Sequence, residues 1–160
     1  MTHNPKPITH NPKPLATLPK IFYFWDMTKK IQSVLLTDDD PDDRFLFEEA
    51  LLSADPKIQY DSAVDGLDAI DKLSRGKIPD VIFMDVNMPR MNGINCLKEL
   101  RQMPALREIP VIMYSTSSYY KEECFRLGAN AYIEKPSDFA KLCEKLKLIT
   151  SNGLPLKDVN

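Results

Sequence analysis

Five polar residues each stand directly after a short apolar run. Asp38 and Asp39 follow Ser33–Thr37, Asp85 follows Val81-Ile82-Phe83-Met84, Ser115 follows Val111–Tyr114, and Lys135 follows Ala131–Glu134. Carboxylates gathered in one crevice raise one another's pKa and cost stability unless a cation joins them. A hard divalent ion with oxygen ligands meets that need, and Mg²⁺ suits a site of two carboxylates, a carbonyl and retained waters. A carboxylate is also a nucleophile towards phosphorus, forming an aspartyl-phosphate. That reaction needs in-line positioning and neutralisation of charge on the equatorial oxygens. The ammonium of Lys135 and the hydroxyl of Ser115 are groups that could serve it.

The elements that must position these residues alternate strand with helix from residue 31 onward. Ser33–Thr37 reads as a buried strand ended by acids, followed by helical spacing over Asp42–Ser53 with Leu46, Ala50 and Leu51 as its apolar face. Ile58–Val64 reads as a more polar second strand. Leu67, Ile70 and Leu73 then share a helical face that stops at Gly76 and Pro79. Val81–Met84 is the most apolar strand. A helix over Gly93–Gln102, a strand over Val111–Tyr114, a helix over Tyr119–Leu127 and a strand over Ala131–Glu134 follow. The last helix, Asp138–Thr150, carries Phe139, Leu142, Leu146 and Ile149 on one face, with an acid at its start. Strands this apolar, alternating with helices, imply a parallel sheet covered on both faces. Five such units predict an open, doubly wound α/β fold, and a strand order of 2-1-3-4-5 would bring the acids together at the carboxyl edge, where the order reverses.

The segments Thr37-Asp38-Asp39-Asp40, Met84-Asp85-Val86-Asn87-Met88-Pro89-Arg90-Met91-Asn92-Gly93, Met113-Tyr114-Ser115-Thr116 and Glu134-Lys135-Pro136 resemble the four signature segments of response-regulator receivers, the CheY-like family. The resemblance covers about Ile31–Thr150, in order and with similar gaps. It implies a flavodoxin-like fold of five parallel strands and five helices. It implies that Asp85 accepts a phosphoryl group from a histidine kinase or phosphotransfer protein. Asp39 and Asp85 would hold Mg²⁺ directly, Asp38 largely through water, and Asn87 through its backbone carbonyl. Lys135 would pair with the phosphoryl group, across a peptide bond to Pro136 expected to be cis. Ser115 would move towards the phosphoryl oxygens and Tyr132, the switch aromatic, would turn inward, changing the surface of the fourth helix, fifth strand and fifth helix for a protein target or a phosphorylation-dependent dimer. The sequence departs from the family pattern at Thr116, where Ala or Gly is usual. Asn87 and Ser117 occupy positions that tune dephosphorylation in the family, and neither is an acid. Asp40, with Pro41-Asp42-Asp43, reads as a helix cap rather than a ligand.

Composition limits the remaining classes. A formal charge of −2 speaks against general nucleic-acid binding. No apolar run approaches the ~20 residues needed to span a bilayer, so a cytoplasmic protein is expected. Cys96, Cys124 and Cys143 are scattered without metal or disulfide spacing and suit core filling in a reducing compartment. Residues 1–30 carry five lysines and one acid, and Thr2-His3-Asn4-Pro5-Lys6-Pro7 returns as Thr9-His10-Asn11-Pro12-Lys13-Pro14. This segment reads as a disordered Pro/Lys-rich extension, either a partner epitope or, as favoured here, an unselected leader before Met27. Both histidines lie in it, which weighs against histidine-dependent hydrolysis. Residues 31–150 form the expected receiver domain. Ser151–Asn160 form a tail too short for a DNA-binding unit, so output is expected through protein contact.

Taken singly, each site residue has a plain alternative: a surface acid at Asp38, a snorkelling lysine at Lys135, a turn cap at Ser115, a strand aromatic at Tyr132. Two other functions compete with the switch. One is an aspartyl-phosphate phosphohydrolase, disfavoured by Asn87, which stands where those enzymes carry a second acid. The other is a receiver-like binding module that takes no phosphate, disfavoured by the intact acids and lysine.

Overall fold

The computed structural model describes residues 30–153 and 157–158. The repeated N-terminal segment, including His3 and His10, lies outside them. The elements run β1 (Ser33–Thr37), α1 (Pro41–Ala54), β2 (Gln59–Ala63), α2 (Gly66–Arg75), β3 (Val81–Met84), α3 (Gly93–Gln102), β4 (Val111–Ser115), α4 (Lys121–Arg126), β5 (Ala131–Glu134), α5 (Phe139–Asn152) and β6 (Lys157–Asp158). All strands are parallel, in the order β2-β1-β3-β4-β5-β6. The expected order of the first five holds, and β6 adds a two-residue strand beside β5.

Because side chains alternate across a strand, the sheet feeds two cores. Leu35, Ile82, Met84, Val111, Met113 and Tyr132 point to the side covered by α2, α3 and α4. Val34, Leu36, Phe83, Ile112, Tyr114 and Ile133 point to the other, covered by α1 and α5, which pack against each other. This is the doubly wound arrangement, and it leaves the carboxyl ends of β1, β3, β4 and β5 on one edge.

The start of α1 follows the capping expectation: Asp40 accepts hydrogen bonds from the amides of Asp42 and Asp43, with Pro41 at the first helical position. Its buried face keeps Ala50 and Leu51 of the expected set but takes Phe47 in place of Leu46. Phe47, Ala50 and Leu51 face the sheet, while Leu46 is 45% exposed and Phe45 61%. Phe47 sits edge-on to Phe83 at 4.9 Å and to Tyr114 at 5.5 Å. The run Phe45-Leu46-Phe47 leaves helical phase ambiguous in the pattern, and the aromatic pocket on β3 and β4 settles it. In α2 the face is Gly66, Ala69 and Leu73, with Ile70 partly buried and Leu67 exposed. Gly66 stands there because a Cβ would come within 2.6 Å of the Met91 side chain and 2.8 Å of Cys96 Cβ. On α5, Leu142, Leu146 and Ile149 are buried as expected, but Phe139 is exposed, since it is the first residue after the Asp138 cap. Cys96 and Cys124 are buried, Cys143 is intermediate, and all three are free.

Candidate functional site

Each site residue is placed by the last pairing of its strand. The Asp38 amide donates to the carbonyl of Ala63 at 2.9 Å, and the Asp85 amide donates to that of Thr37 at 2.9 Å. β1 is thus held between β2 and β3 with both acids at the crevice. The Lys135 amide donates to the Ser115 carbonyl at 2.8 Å, which brings the end of β5 beside that of β4. Gly93, opening α3, packs directly under Asp85: a Cβ would stand 2.0 Å from the Asp85 carbonyl oxygen. The glycine is therefore a requirement of the close approach.

One carboxylate oxygen from each of Asp38, Asp39 and Asp85 lies within 4.8 Å of the other two. Asp38 and Asp85 are buried and Asp39 is exposed. Asp38 Oδ1 accepts from the Asp40 amide at 3.0 Å, and Asp85 Oδ1 accepts from the Asn87 amide at 3.4 Å. Lys135 Nζ reaches Asp38 Oδ2 at 2.7 Å, Asp43 Oδ2 at 2.8 Å and Asp85 Oδ2 at 3.3 Å. It also lies 5.4 Å from the centre of the Tyr114 ring, over its face. Burial pushes the Asp38 and Asp85 carboxyls above the ordinary carboxylate value, with Lys135 pulling against it. Burial would lower Lys135, but its hydrogen bonds to Asp38 and Asp43 and the charges of Asp38 and Asp85 outweigh this and hold it above the usual lysine range. The crevice therefore sets two reluctant anions, Asp38 and Asp85, against the Lys135 ammonium, and with Asp39 it offers a donor set of hard oxygens that fits a divalent ion.

Ser115 ends β4, and its hydroxyl is buried beside the Tyr132 phenol. A serine hydroxyl is both donor and acceptor, so Ser115 Oγ can donate to an acceptor brought into the crevice. Tyr132 is turned inward, 2% exposed, and its phenol donates to the Ser117 carbonyl. Thr116, which follows Ser115 in the chain, is exposed. The described peptide bonds are all trans, including Lys135–Pro136. The cis bond implied by the resemblance is thus corrected: the trans isomer is the intrinsic ground state, and the loop forms with Lys135 still paired to Ser115.

Sequence reading missed three groups. Asp43 was read only as part of the helix start, yet its carboxylate pairs with Lys135. Arg44 donates from Nη1 to the Asp38 carbonyl at 2.8 Å and so ties α1 to the end of β1. Asp65 is buried at the start of α2, where it caps the Asp68 amide at 3.0 Å and accepts from Arg90 Nε at 2.5 Å. Burial would raise Asp65, but the Asp68 amide and Arg90 hold it below the ordinary value. Arg90 itself adopts φ 59°, an unusual backbone for a non-glycine residue. The pair pins the loop between Asp85 and α3 to the start of α2.

A five-unit parallel α/β sheet with acids and a lysine converging at its carboxyl edge defines a receiver-type signalling domain. The profile described as response regulator receiver domain matches residues 34–147, and the chain belongs to that family. It is similar to chemotaxis protein CheY-3 of Vibrio cholerae, 39% identical over 89 residues, which cover 54% of this chain and 68% of that protein. It is 37% identical over 120 residues to a protein-glutamate methylesterase/protein-glutamine glutaminase of Clostridium acetobutylicum, covering 71% of this chain and 34% of that protein. The chain spans about a third of the length of the methylesterase relatives it matches. Among solved structures, the phosphorylated cyanobacterial phytochrome response regulator RcpA superposes with TM-score 0.69 at 26% identity, covering 79% of this chain and 98% of that one. The Mn²⁺-bound form of another response regulator superposes with TM-score 0.66 at 26% identity, covering 78% and 98%. The protein is thus a CheY-like receiver domain of two-component signalling. No described helix is long and apolar enough to cross a membrane.

Proposed function

We propose that the protein is a phosphorylation-dependent switch, with Asp85 as the phospho-acceptor, Mg²⁺ as cofactor and protein contact as output. The observation that carries this reading is the cluster of Asp38, Asp39 and Asp85, one carboxylate oxygen of each within 4.8 Å of the others, with the Lys135 ammonium on Asp38 and Asp85. Receiver domains work with histidine kinases or phosphotransfer proteins, and such a protein is the proposed donor. A carboxylate oxygen of Asp85 attacks phosphorus in line, the phosphorus–nitrogen bond of the donor phosphohistidine breaks, and the imidazole leaves, taking a proton from solvent. Asp38, Asp39, Asp85 and the Asn87 carbonyl would hold Mg²⁺, which supplies neutralisation of phosphoryl charge when bound. That a structural relative is Mn²⁺-bound and another is phosphorylated supports both assignments.

The remaining roles belong to this chain's own side chains. Lys135 carries a permanent positive charge at the acceptor and transfers its pairing from Asp85 to the new phosphoryl oxygens. Ser115 would donate its buried hydroxyl to them. Tyr132 lies inward on the same edge and links the end of β4 to β5 through Ser117. Phosphorylation then biases a two-state surface around α4, β5 and α5. Asn87 presents no acid to activate water, which favours a switch over a phosphohydrolase, and exposed Thr116 narrows the approach of water and slows turnover. We further read the protein as cytoplasmic, with no direct DNA or membrane contact.

The test is incubation with acetyl phosphate and Mg²⁺, with Asp85→Asn alongside. The expected result is one hydroxylamine-labile phosphoryl group on the wild type and none on the variant, with beryllofluoride producing a Mg²⁺-dependent change in the amide spectrum. Absence of both in the wild type sinks the switch. Continuous phosphate release from phosphomonoesters would put the hydrolase in its place.

A further inference from the structure

Lys135 has three N–H donors, and three carboxylates take them: Asp38, Asp43 and Asp85 at 2.7, 2.8 and 3.3 Å. Two of those carboxylates have other duties. Asp38 and Asp85 belong to the cluster suited to a divalent ion, and Asp85 loses a carboxylate oxygen to the phosphorus–oxygen bond when it is phosphorylated. Asp43 stands apart. It is outside that cluster, lies in the first turn of α1, and pairs through its side chain with Lys135 alone among the described residues.

We propose that Asp43 is the positioning residue of Lys135. It holds the ammonium at the mouth of the crevice and remains its anchor when Asp38 and Asp85 turn to an ion and a phosphoryl group. The geometry suits a tether. Lys135 follows β5 and Asp43 opens α1, so the ion pair clamps the β5–α5 loop to the helix that Arg44 already ties to the Asp38 carbonyl. The helix start also holds Asp43 in place: its amide donates to the Asp40 cap at 3.4 Å, and a carboxylate in the first turn is favoured by the helix dipole. Lys135 keeps only 10% of its side chain exposed, whereas Asp43 keeps 38%, so the acid can move with the lysine without losing its own solvation. Without Asp43, one ammonium proton loses its acceptor and the long lysine stem loses its outer restraint. The consequence for phosphoryl transfer rests on the phospho-acceptor reading, while the restraint on Lys135 does not.

The experiment compares Asp43→Ala with Asp42→Ala. Both remove an acid from the first turn of α1, but only Asp43 touches Lys135. The first readout is the side-chain ammonium spectrum of Lys135 in the full chain. A distinct, slowly exchanging signal is expected in the wild type and in Asp42→Ala, and its loss to water exchange in Asp43→Ala. The second is the initial rate of labelling by acetyl phosphate at saturating Mg²⁺. Asp43→Ala is expected to slow it about two- to fivefold, less than a fully buried charge-assisted hydrogen bond would give, because Asp43 is partly exposed. In a Lys135→Ala background Asp43→Ala is expected to add no further slowing, since its effect passes through the lysine. Equal ammonium signals in the two single variants overturn the proposal, as does undiminished slowing in the Lys135→Ala background. If the wild type takes no phosphoryl group, the phospho-acceptor reading falls by itself, and the ammonium spectrum decides the case of Asp43.

Discussion

Replacing Lys135 with Met removes the cation from the crevice while keeping most of the stem's bulk, and its cost can be worked from the contacts. The bond to Asp38, at 2.7 Å with the two side chains 10% and 0% exposed, is a charge-assisted hydrogen bond of about 1.5–3 kcal/mol. The contact with Asp43, 38% exposed, adds under about 1 kcal/mol after solvent screening. Asp85, at 3.3 Å, is past the best distance for such a bond and adds less than Asp38 does. Leaving buried carboxylates without their cation belongs to the range of about 3–5 kcal/mol. The expected loss is therefore about 3–4 kcal/mol at pH 7 in EDTA, a fall in Tm of about 10 °C for a domain of this size. The pH dependence has a definite sign. Burial holds Asp38 and Asp85 above their ordinary value of 3.8 even with the lysine present. The folded state then binds protons before the unfolded state does, so stability rises as pH falls through the folded values towards about 3.8. Losing Lys135 raises those folded values further and deepens the effect. The deficit of Lys135→Met should thus be full at pH 7 and shrink steadily towards pH 4. Millimolar Mg²⁺ should restore part of it by binding the folded state, with a larger increment than in the wild type. Thermal melts by circular dichroism across pH, with EDTA and with Mg²⁺, measure all of this. A variant as stable as the wild type at pH 7 in EDTA, or a deficit that does not change between pH 7 and 4, refutes the account of Lys135 as the crevice's resident cation.

Other outcomes follow from the same contacts. Asp85→Asn relieves repulsion in the cluster, so it should melt no lower than the wild type in EDTA and lose most of the Mg²⁺-induced rise in Tm; a rise equal to wild type would place the ion elsewhere. Gly93→Ala puts a Cβ 2.0 Å from the Asp85 carbonyl oxygen, and should cost at least about 2 kcal/mol while slowing labelling by acetyl phosphate, with denaturant melts and labelling rates as the measures. Phe47→Ala should cost about 3–5 kcal/mol, whereas Leu46→Ala, at an exposed position, should stay within about 0.5 kcal/mol; similar urea midpoints for the two would contradict the observed face of α1.

The sequence by itself determined the alternation of strand and helix, because runs such as Val81–Met84 are apolar throughout and are closed by residues that end elements: Asp38, Gly76, Asp85, Pro136. It also determined the cap at Asp40, since an Asx residue before proline acts on amides within its own turn. The acids at strand ends were legible for the same reason: period-2 strands in a doubly wound sheet have one functional edge. Tertiary structure alone decided which face of α1 is buried, because Phe45, Leu46 and Phe47 are comparably apolar and only the pocket of Phe83 and Tyr114 distinguishes them. It decided that Leu67 and Phe139 face outward, the first because small Gly66 and Ala69 let α2 approach α3 closely. It also decided the partners of Lys135. Asp43 is 92 residues away in the chain, and no local periodicity reports that the first turn of α1 comes to rest beside the end of β5. A strand-end lysine is a matter of pattern, but the carboxylates that share its charge are set by how helices pack across the sheet.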